Sequence, residues 1–321
     1  MRCVLVGNYG VGNLGDEALR EFFLENFSDV EWTVLSASPR NESEVHRLPC
    51  GFRSLFRPWW RTISAFRKAD CVVFGGGTLF TDIESVYACV LWWWHAFIAR
   101  LMKKPVLLAF QGIGPFRSKL GLRLAKWTVR NSVHLSVRDS ASFERVKSWG
   151  MNKDIVQSFD PVYVVFSNSK VDVTESSTIV LIPRQNSGET FLIEACRVIQ
   201  EHQGDPVRIV LMQPDHEKFI VERITSLAHG RSEVVAVKSV EQLLRAISDA
   251  LLVVAERYHG ALAAIALGVP LVVCPLDSGD KLDVLQELTG NGGALRRENM
   301  IKSVGDGYLA LRDALSSLKT A

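Results

Sequence analysis

The sequence predicts an α/β fold of two doubly wound parallel-sheet domains, on three observations. The 321 residues, 47% of them hydrophobic and 22% charged, suffice for two ordinary cores. Short β-branched runs alternate with longer helix-period stretches along the chain, the pattern of parallel strands joined by helical crossovers. At Ser167–Ser177 both periods fail in the polar run SNSKVDVTESS, which reads as a linker. The expected domains are 1–168 and 178–321, joined through 169–177.

In the first domain, strands are expected at Cys3–Val6, Trp32–Leu35, Cys71–Phe74, Val106–Phe110, His134–Val137 and Ile155–Gln157. Helices fill the gaps; in Asp16–Asn26, Ala18, Leu19, Phe22 and Phe23 recur at helical spacing. The alternation restarts with strands at Thr178–Ile182, Val207–Met212, Glu233–Ala236, Leu251–Ala255 and Leu271–Val273. Val304–Leu318 is an amphipathic pattern suited to packing on either domain. The sequence has no internal repeat, low-complexity tract or charge block.

A formal charge of +2, from 37 Lys and Arg against 35 Asp and Glu, gives no bulk field for a polyanion, so nucleic acid is not an expected partner. Any anion site must be a local cluster. The six cysteines are scattered singly without metal-like spacing, which fits a reducing, cytoplasmic setting and no metal site. MRCVLVGNYG has too short an apolar run for a signal peptide. The uncharged stretch between Glu84 and Arg100 falls short of the roughly 20 residues a bilayer span needs. Its Trp92, Trp93 and Trp94 suggest a peripheral membrane contact, but consecutive helical positions point in different directions. A mostly buried helix is the preferred reading, with His95 in the core or at a cleft edge.

Ligands of open parallel sheets bind beyond the carboxyl ends of the strands. The first such loop, Gly7–Ala18 (GNYGVGNLGDEA), carries Gly10, Gly12 and Gly15 in GxGxxG spacing. A dinucleotide is nevertheless not expected. The glycines begin late, Asp16 and Glu17 place negative charge where a pyrophosphate would sit, and no acid ends the second strand. The two acids either bind an acceptor or simply favour the helix N-terminus through its dipole. FGGGTLFTD (Phe74–Asp82) and QGIGPF (Gln111–Phe116) expose backbone amides where a ligand can approach closely, and together they suggest a cleft floor. ERYHGALAAIALGVPLVV places Arg257 and His259 at a strand's carboxyl end and a helix N-terminus, a phosphate or carboxylate site unless both are buried structural groups. Arg138 and Lys281 are cations at equivalent edges.

Together, NxGDEA (Asn13–Ala18), FGGG (Phe74–Gly77), QGIGP (Gln111–Pro115), SVRD (Ser136–Asp139), ERYHGA (Glu256–Ala261) and GDK (Gly279–Lys281) resemble the polysaccharide pyruvyltransferase family. The resemblance implies two Rossmann-like domains in a GT-B-like arrangement with an interdomain cleft. It also implies transfer of a pyruvyl group from phosphoenolpyruvate to a sugar of a cell-surface polysaccharide or its lipid-linked precursor, as a cyclic ketal, without cofactor or metal. Carried over by position, the donor cations are Arg138, Arg257, His259 and Lys281. Asn13, Asp16, Glu17, Gly75, Gly76, Gly77, Gln111 and Gly112 are expected to bind substrate on the acceptor side, the first domain. The family tends to show Arg then Pro at the end of the first strand of its second domain; here Pro183 precedes Arg184, so Arg184 is the weaker candidate.

Phosphoenolpyruvate carries about three negative charges, which calls for several fixed cations, guanidinium above all. His259, with an ordinary pKa near 6.5, is the candidate to deprotonate the acceptor hydroxyl or protonate the departing phosphate. The main rival is a GT-B nucleotide-sugar glycosyltransferase, with Asp215 or Glu217 holding a ribose. A non-enzymatic binding protein is the rival from another class.

Overall fold

The computed structural model describes residues 1–51, 56–83, 85–174, 176–228, 230–275, 281–286 and 293–320. Contacts divide the chain into an N-terminal unit, Met1–Pro161 with Met300–Ala321, and a second unit, Val162–Asn299.

In the N-terminal unit the order is β1 (Arg2–Val6), α1 (Leu14–Asn26), β2 (Glu31–Ser36), β3 (Glu44–His46), α2 (Trp60–Lys68), β4 (Cys71–Phe80), α3 (Val86–Leu101), β5 (Val106–Ile113), α4 (Lys119–Asn131), β6 (His134–Val137), α5 (Ser140–Lys147) and β7 (Val156–Gln157). These strands form one parallel sheet in the order β3-β2-β1-β4-β5-β6-β7. The order reverses between β1 and β4, so the loops leaving those two strands diverge and open a binding edge. Phe66 of α2, Trp92 and Ala96 of α3, Ala125 and Val129 of α4 and Val146 of α5 pack into one core over a single sheet face.

The second unit contains α6 (Val162–Ser167), β8 (Thr178–Ile182), α7 (Glu189–Glu201), β9 (Val207–Leu211), α8 (Pro214–Leu227), β10 (Ser232–Ala236), α9 (Val240–Ile247), β11 (Ala250–Ala255), α10 (Tyr258–Leu267), β12 (Leu271–Val273) and α11 (Lys281–Gln286). Its parallel sheet runs β10-β9-β8-β11-β12 and reverses between β8 and β11. The last helix, α12 (Gly293–Thr320), belongs from Met300 onward to the first unit.

The described strands follow the predicted pattern, with two informative departures. β3 is only three residues long and carries no recognisable period. β4 and β5 run further than the apolar runs imply, because Gly75 pairs with Ala109, Gly77 with Gln111 and Phe80 with Ile113, with a register shift between Gly77 and Phe80. FGGG is therefore strand, not post-strand loop. Gly76 and Gly77 both sit at φ +80°, in the left-handed region where a side chain would be strained.

The division also falls elsewhere than expected. The polar segment 168–177 lies within the second unit, where Thr174 N donates to Ser248 O (3.1 Å), and α6 before it packs on α10. The terminal helix stays with the first unit through Tyr308, whose ring lies 4.8 Å from that of Phe27, and Arg312, which pairs with Asp29 at 2.7 Å. Composition marks a polar segment, whereas long-range packing decides which core each flank joins.

His95 is a core histidine: Leu48 N donates to its Nε2 (2.9 Å), so Nδ1 carries the proton it shares with Leu91 O (2.7 Å). Burial, against the bond to Leu91, pushes its pKa down to about 4. His134 is likewise held at about 4, by burial and then by Lys153. Both stay neutral in the folded chain at pH values where free histidine is charged, so the unfolded state binds more protons. Their contribution is complete above about pH 6.5 and is lost as the pH falls toward about 4. We expect about 2 kcal/mol of lost stability per histidine at pH 5, read as a falling urea midpoint, with His134→Gln removing roughly half of the loss. An unchanged midpoint between pH 7 and pH 5 contradicts this.

Candidate active site

In the N-terminal unit the loop between β1 and α1 is pinned by its own acids. Glu17 Oε1 accepts from Gly10 N (2.7 Å), Asp16 Oδ2 accepts from Asn8 Nδ2 (2.9 Å), and Asn13 caps α1 by accepting from Gly15 N (3.2 Å). Glu17 also pairs with Arg20 (3.1 Å), which pairs with Glu44 (2.9 Å). The acids thus do more than favour a helix dipole: they fix a loop whose Gly10 (φ +75°) would place a Cβ 2.9 Å from the backbone of Ser38.

Two residues that the sequence does not single out complete this scaffold. Tyr9, fully buried, donates from its hydroxyl to Gly75 O (2.8 Å), tying the loop to β4. Burial, then Asp16 and Glu17, hold its pKa well above the ordinary phenol value, so it is a neutral tie. Arg47 donates to Asn8 Oδ1 (3.2 Å) and Tyr9 O (2.9 Å) and lies over the Trp92 ring. Asp16 is brought beside Gly77, where a Cβ would stand 3.5 Å from Asp16 Oδ1. The first two sequence motifs therefore meet at the edge where the strand order reverses.

Gln111 is wholly buried, and its Nε2 donates to Phe74 O and Ala109 O, each at 3.0 Å. The amide holds β4 to β5 and faces no solvent, unlike the ligand contact expected of it. Gly112 lets a guanidinium pass: a Cβ there would lie 2.6 Å from Thr78 Oγ1 and 3.2 Å from Arg138 Nε. Arg138, only 2% exposed, forms an ion pair with the buried Asp160 and donates from Nη2 to Thr78 Oγ1 (2.7 Å). Its charge is thereby neutralised inside the unit, a different situation from the open donor-site cation the sequence suggests. Asp160 follows the last strand of this sheet, so the rule that singles out strand ends reaches it, although its lone DP setting forms no motif.

In the second unit Arg257 occupies the N-cap of α10, immediately after β11 at the strand-order reversal. Its Nε donates to Glu217 Oε1 (3.0 Å), and its Nη2 to Gln213 Oε1 (2.9 Å) and to Glu217. Nη1 has no hydrogen-bond partner among the described residues. The other Glu217 oxygen accepts from Gln213 N (2.9 Å). Glu217 is therefore engaged on both oxygens and is not available as the ribose carboxylate the rival reading needs. Asp215's side chain lies outside the described residues. His259, mostly buried, follows in the first turn of α10, with Tyr258 edge-on at 5.2 Å. Gly188 N, at the start of α7, donates to Glu256 Oε1 (3.2 Å), which fixes the neighbouring loop after β8. Lys281 opens α11, but its side chain, with Gly279 and Asp280, lies outside the described residues.

A guanidinium oriented by a buried carboxylate beside a helix N-terminus is a preorganised anion site. The family model for polysaccharide pyruvyl transferase matches residues 13–278, spanning every motif above except the first residues of the β1 loop and GDK (Gly279–Lys281), which follows directly after it. The chain belongs to the polysaccharide pyruvyl transferase family. It is accordingly a transferase, and its two parallel-sheet units carry a GT-B-like fold.

Solved structures agree on that architecture. UDP-N-acetylglucosamine 2-epimerase from Rickettsia bellii is 10% identical, covering 100% of this chain and 97% of that one, with a TM-score of 0.64. Anabaena HepE in complex with UDP is 13% identical over 99% of this chain and 100% of that one, with a TM-score of 0.61. The Staphylococcus aureus MnaA–UDP structure is 12% identical over 99% and 90%, with a TM-score of 0.60. These are likenesses of fold. No curated protein matches the chain.

Proposed function

We propose that this pyruvyl transferase family member takes phosphoenolpyruvate as donor and forms a cyclic pyruvyl ketal on a sugar of a cell-surface polysaccharide or its lipid-linked precursor, in the cytoplasm. The observation that carries the reading is Arg257: a guanidinium clamped by Glu217 and Gln213, with Nη1 unbonded among the described residues, at the N-terminus of α10. Such a group holds a phosphate or carboxylate without reorganising at the moment of reaction. Lys281, at the start of α11, is the second cation of this donor site. In the N-terminal unit Asn13, Asp16, Glu17 and the glycines at 75–77 and 112 form the acceptor side. Arg138, with Asp160, shapes that side from within.

A proton adds to the vinyl CH2 of phosphoenolpyruvate, making it a methyl group and leaving the central carbon electrophilic. One sugar hydroxyl adds there and gives up its proton. Phosphate then leaves with its bonding electron pair, and a neighbouring hydroxyl closes the ketal and loses its own proton. His259 moves one of these protons, either from the acceptor hydroxyl or to the phosphate. The charge to be stabilised sits on phosphate and carboxylate oxygens, which Arg257 and Lys281 serve directly.

The test is incubation with phosphoenolpyruvate and candidate glycans. Phosphate release together with a mass increase on the glycan equal to a pyruvyl ketal supports the reading. Release of a nucleoside diphosphate from a nucleotide-sugar, with phosphoenolpyruvate untouched, overturns it.

A further inference from the structure

The stretch from Val45 to Arg138, which supplies α2, α3 and α4 over one face of the N-terminal sheet, differs in charge from the rest of the chain. Between Val45 and Arg138 there are fifteen Lys and Arg but three Asp and Glu, which leaves the remainder of the molecule net acidic. From Ser85 to Arg138 there is no acid at all. Asp82, just before this stretch, is buried and accepts from the backbone of Arg117 (2.5 Å) and Ser118 (2.8 Å).

Within α4, Lys119, Arg123, Lys126 and Arg130 recur four, three and four apart, which places them on one stripe. Arg100, Lys103 and Lys104 add charge at the end of α3. None of these seven pairs with a carboxylate among the described residues.

The helix beside this cationic stripe is apolar on both sides. Cys89, Trp92, His95, Ala96 and Ala99 of α3 are buried against the sheet. A second stripe, Tyr87, Val90, Trp94, Phe97 and Leu101, is also without a charge; Tyr87 is 52% and Leu101 68% exposed at its two ends, while Trp94 and Phe97 between them are partly buried against the core. α4 contributes Leu120, 50% exposed, and Trp127, whose ring lies 6.0 Å from those of both Trp93 and Phe97 and seats the two helices side by side. In the same layer α2 presents Trp60, 64% exposed. A consecutive-tryptophan pattern conceals this stripe, because the outward positions follow helical spacing across other aromatic and aliphatic residues.

An apolar outer helix face in water marks a docking surface. With 16 residues, α3 is about 24 Å long and does not span a bilayer. A second copy of this chain is a poor occupant, since a two-fold contact would set the same unpaired cations against each other. An anionic lipid surface matches both features: the aromatic and aliphatic side chains enter the headgroup boundary while the lysines and arginines meet the phosphates.

We propose that the α3–α4 face of the N-terminal unit docks peripherally on anionic phospholipid bilayers. The test is flotation of the intact protein with vesicles of phosphatidylcholine alone and of phosphatidylcholine with phosphatidylglycerol. The protein is expected to float with the anionic vesicles only, and to be released by raised salt. The double variant Lys119→Ala, Arg123→Ala is expected to bind about 25-fold more weakly, at about fivefold per cation. The control Arg197→Ala, Arg245→Ala, which removes the same charge from the second unit, is expected to leave binding unchanged. Absence of flotation with anionic vesicles, equal flotation with neutral ones, or an equal loss in the control each overturns the proposal. The assay contains neither phosphoenolpyruvate nor acceptor, so its failure leaves the pyruvyl-transfer reading untouched.

Discussion

Replacing His259 with alanine is expected to lower turnover with phosphoenolpyruvate by about a hundredfold to ten-thousandfold, the usual worth of a positioned general acid or base. The imidazole sits in the first turn of α10, two residues after Arg257, so removing it takes away a proton carrier and leaves the guanidinium clamp in place. The loss should therefore fall on kcat, with donor KM changed much less. The companion variant Arg257→Lys should show the opposite emphasis. A lysine cannot bond Glu217 and Gln213 together while directing a further donor outward, so the donor KM should rise. Steady-state phosphate release, with circular dichroism to confirm folding, checks both. Unchanged turnover in His259→Ala removes this residue from the mechanism.

Substituting Arg138 by methionine is expected to destabilise the N-terminal unit by about 3–5 kcal/mol, because it removes the ion-pair partner of a buried carboxylate. Asp160 is fully buried, and its partner's other end bonds Thr78 next to Gly112. Pairing the change with Asp160→Leu removes the buried carboxylate as well, and much of the lost stability should return. Urea denaturation of the single and double variants reads both values. A single-variant loss below about 1 kcal/mol would show that the pair is solvated enough to rank with surface ion pairs. The same measurement separates two roles for Arg138: a positioning group costs stability first, whereas a donor-binding cation costs affinity first.

Much of the site's location was legible from strand ends alone. Arg257 and His259 follow an obvious strand and open an obvious helix, so their placement at a carboxyl edge depends on local sequence only. The glycines at 75–77 were legible as a close-approach feature, although their continuation of β4 was not, because pairing with Ala109 and Gln111 comes from a neighbouring strand. The partners of the conspicuous cations were the least visible. Glu217 reaches Arg257 across 40 residues, and Asp160 reaches Arg138 across 22, on different elements in each case.

Local pattern alone determined the parallel α/β class, the order of the described strands other than β3, and the strand ends that carry Arg138 and Arg257, since period, turn chemistry and helix starts are short-range properties of the chain. Tertiary structure decided that Arg138 is sealed inside its unit while Arg257, also paired with a buried carboxylate, keeps partial exposure, which core the terminal helix joins, and which ends of α3 reach the surface. The reason is physical: burial and ion pairing are set by groups brought close in space from distant positions, and no short-range period encodes that proximity.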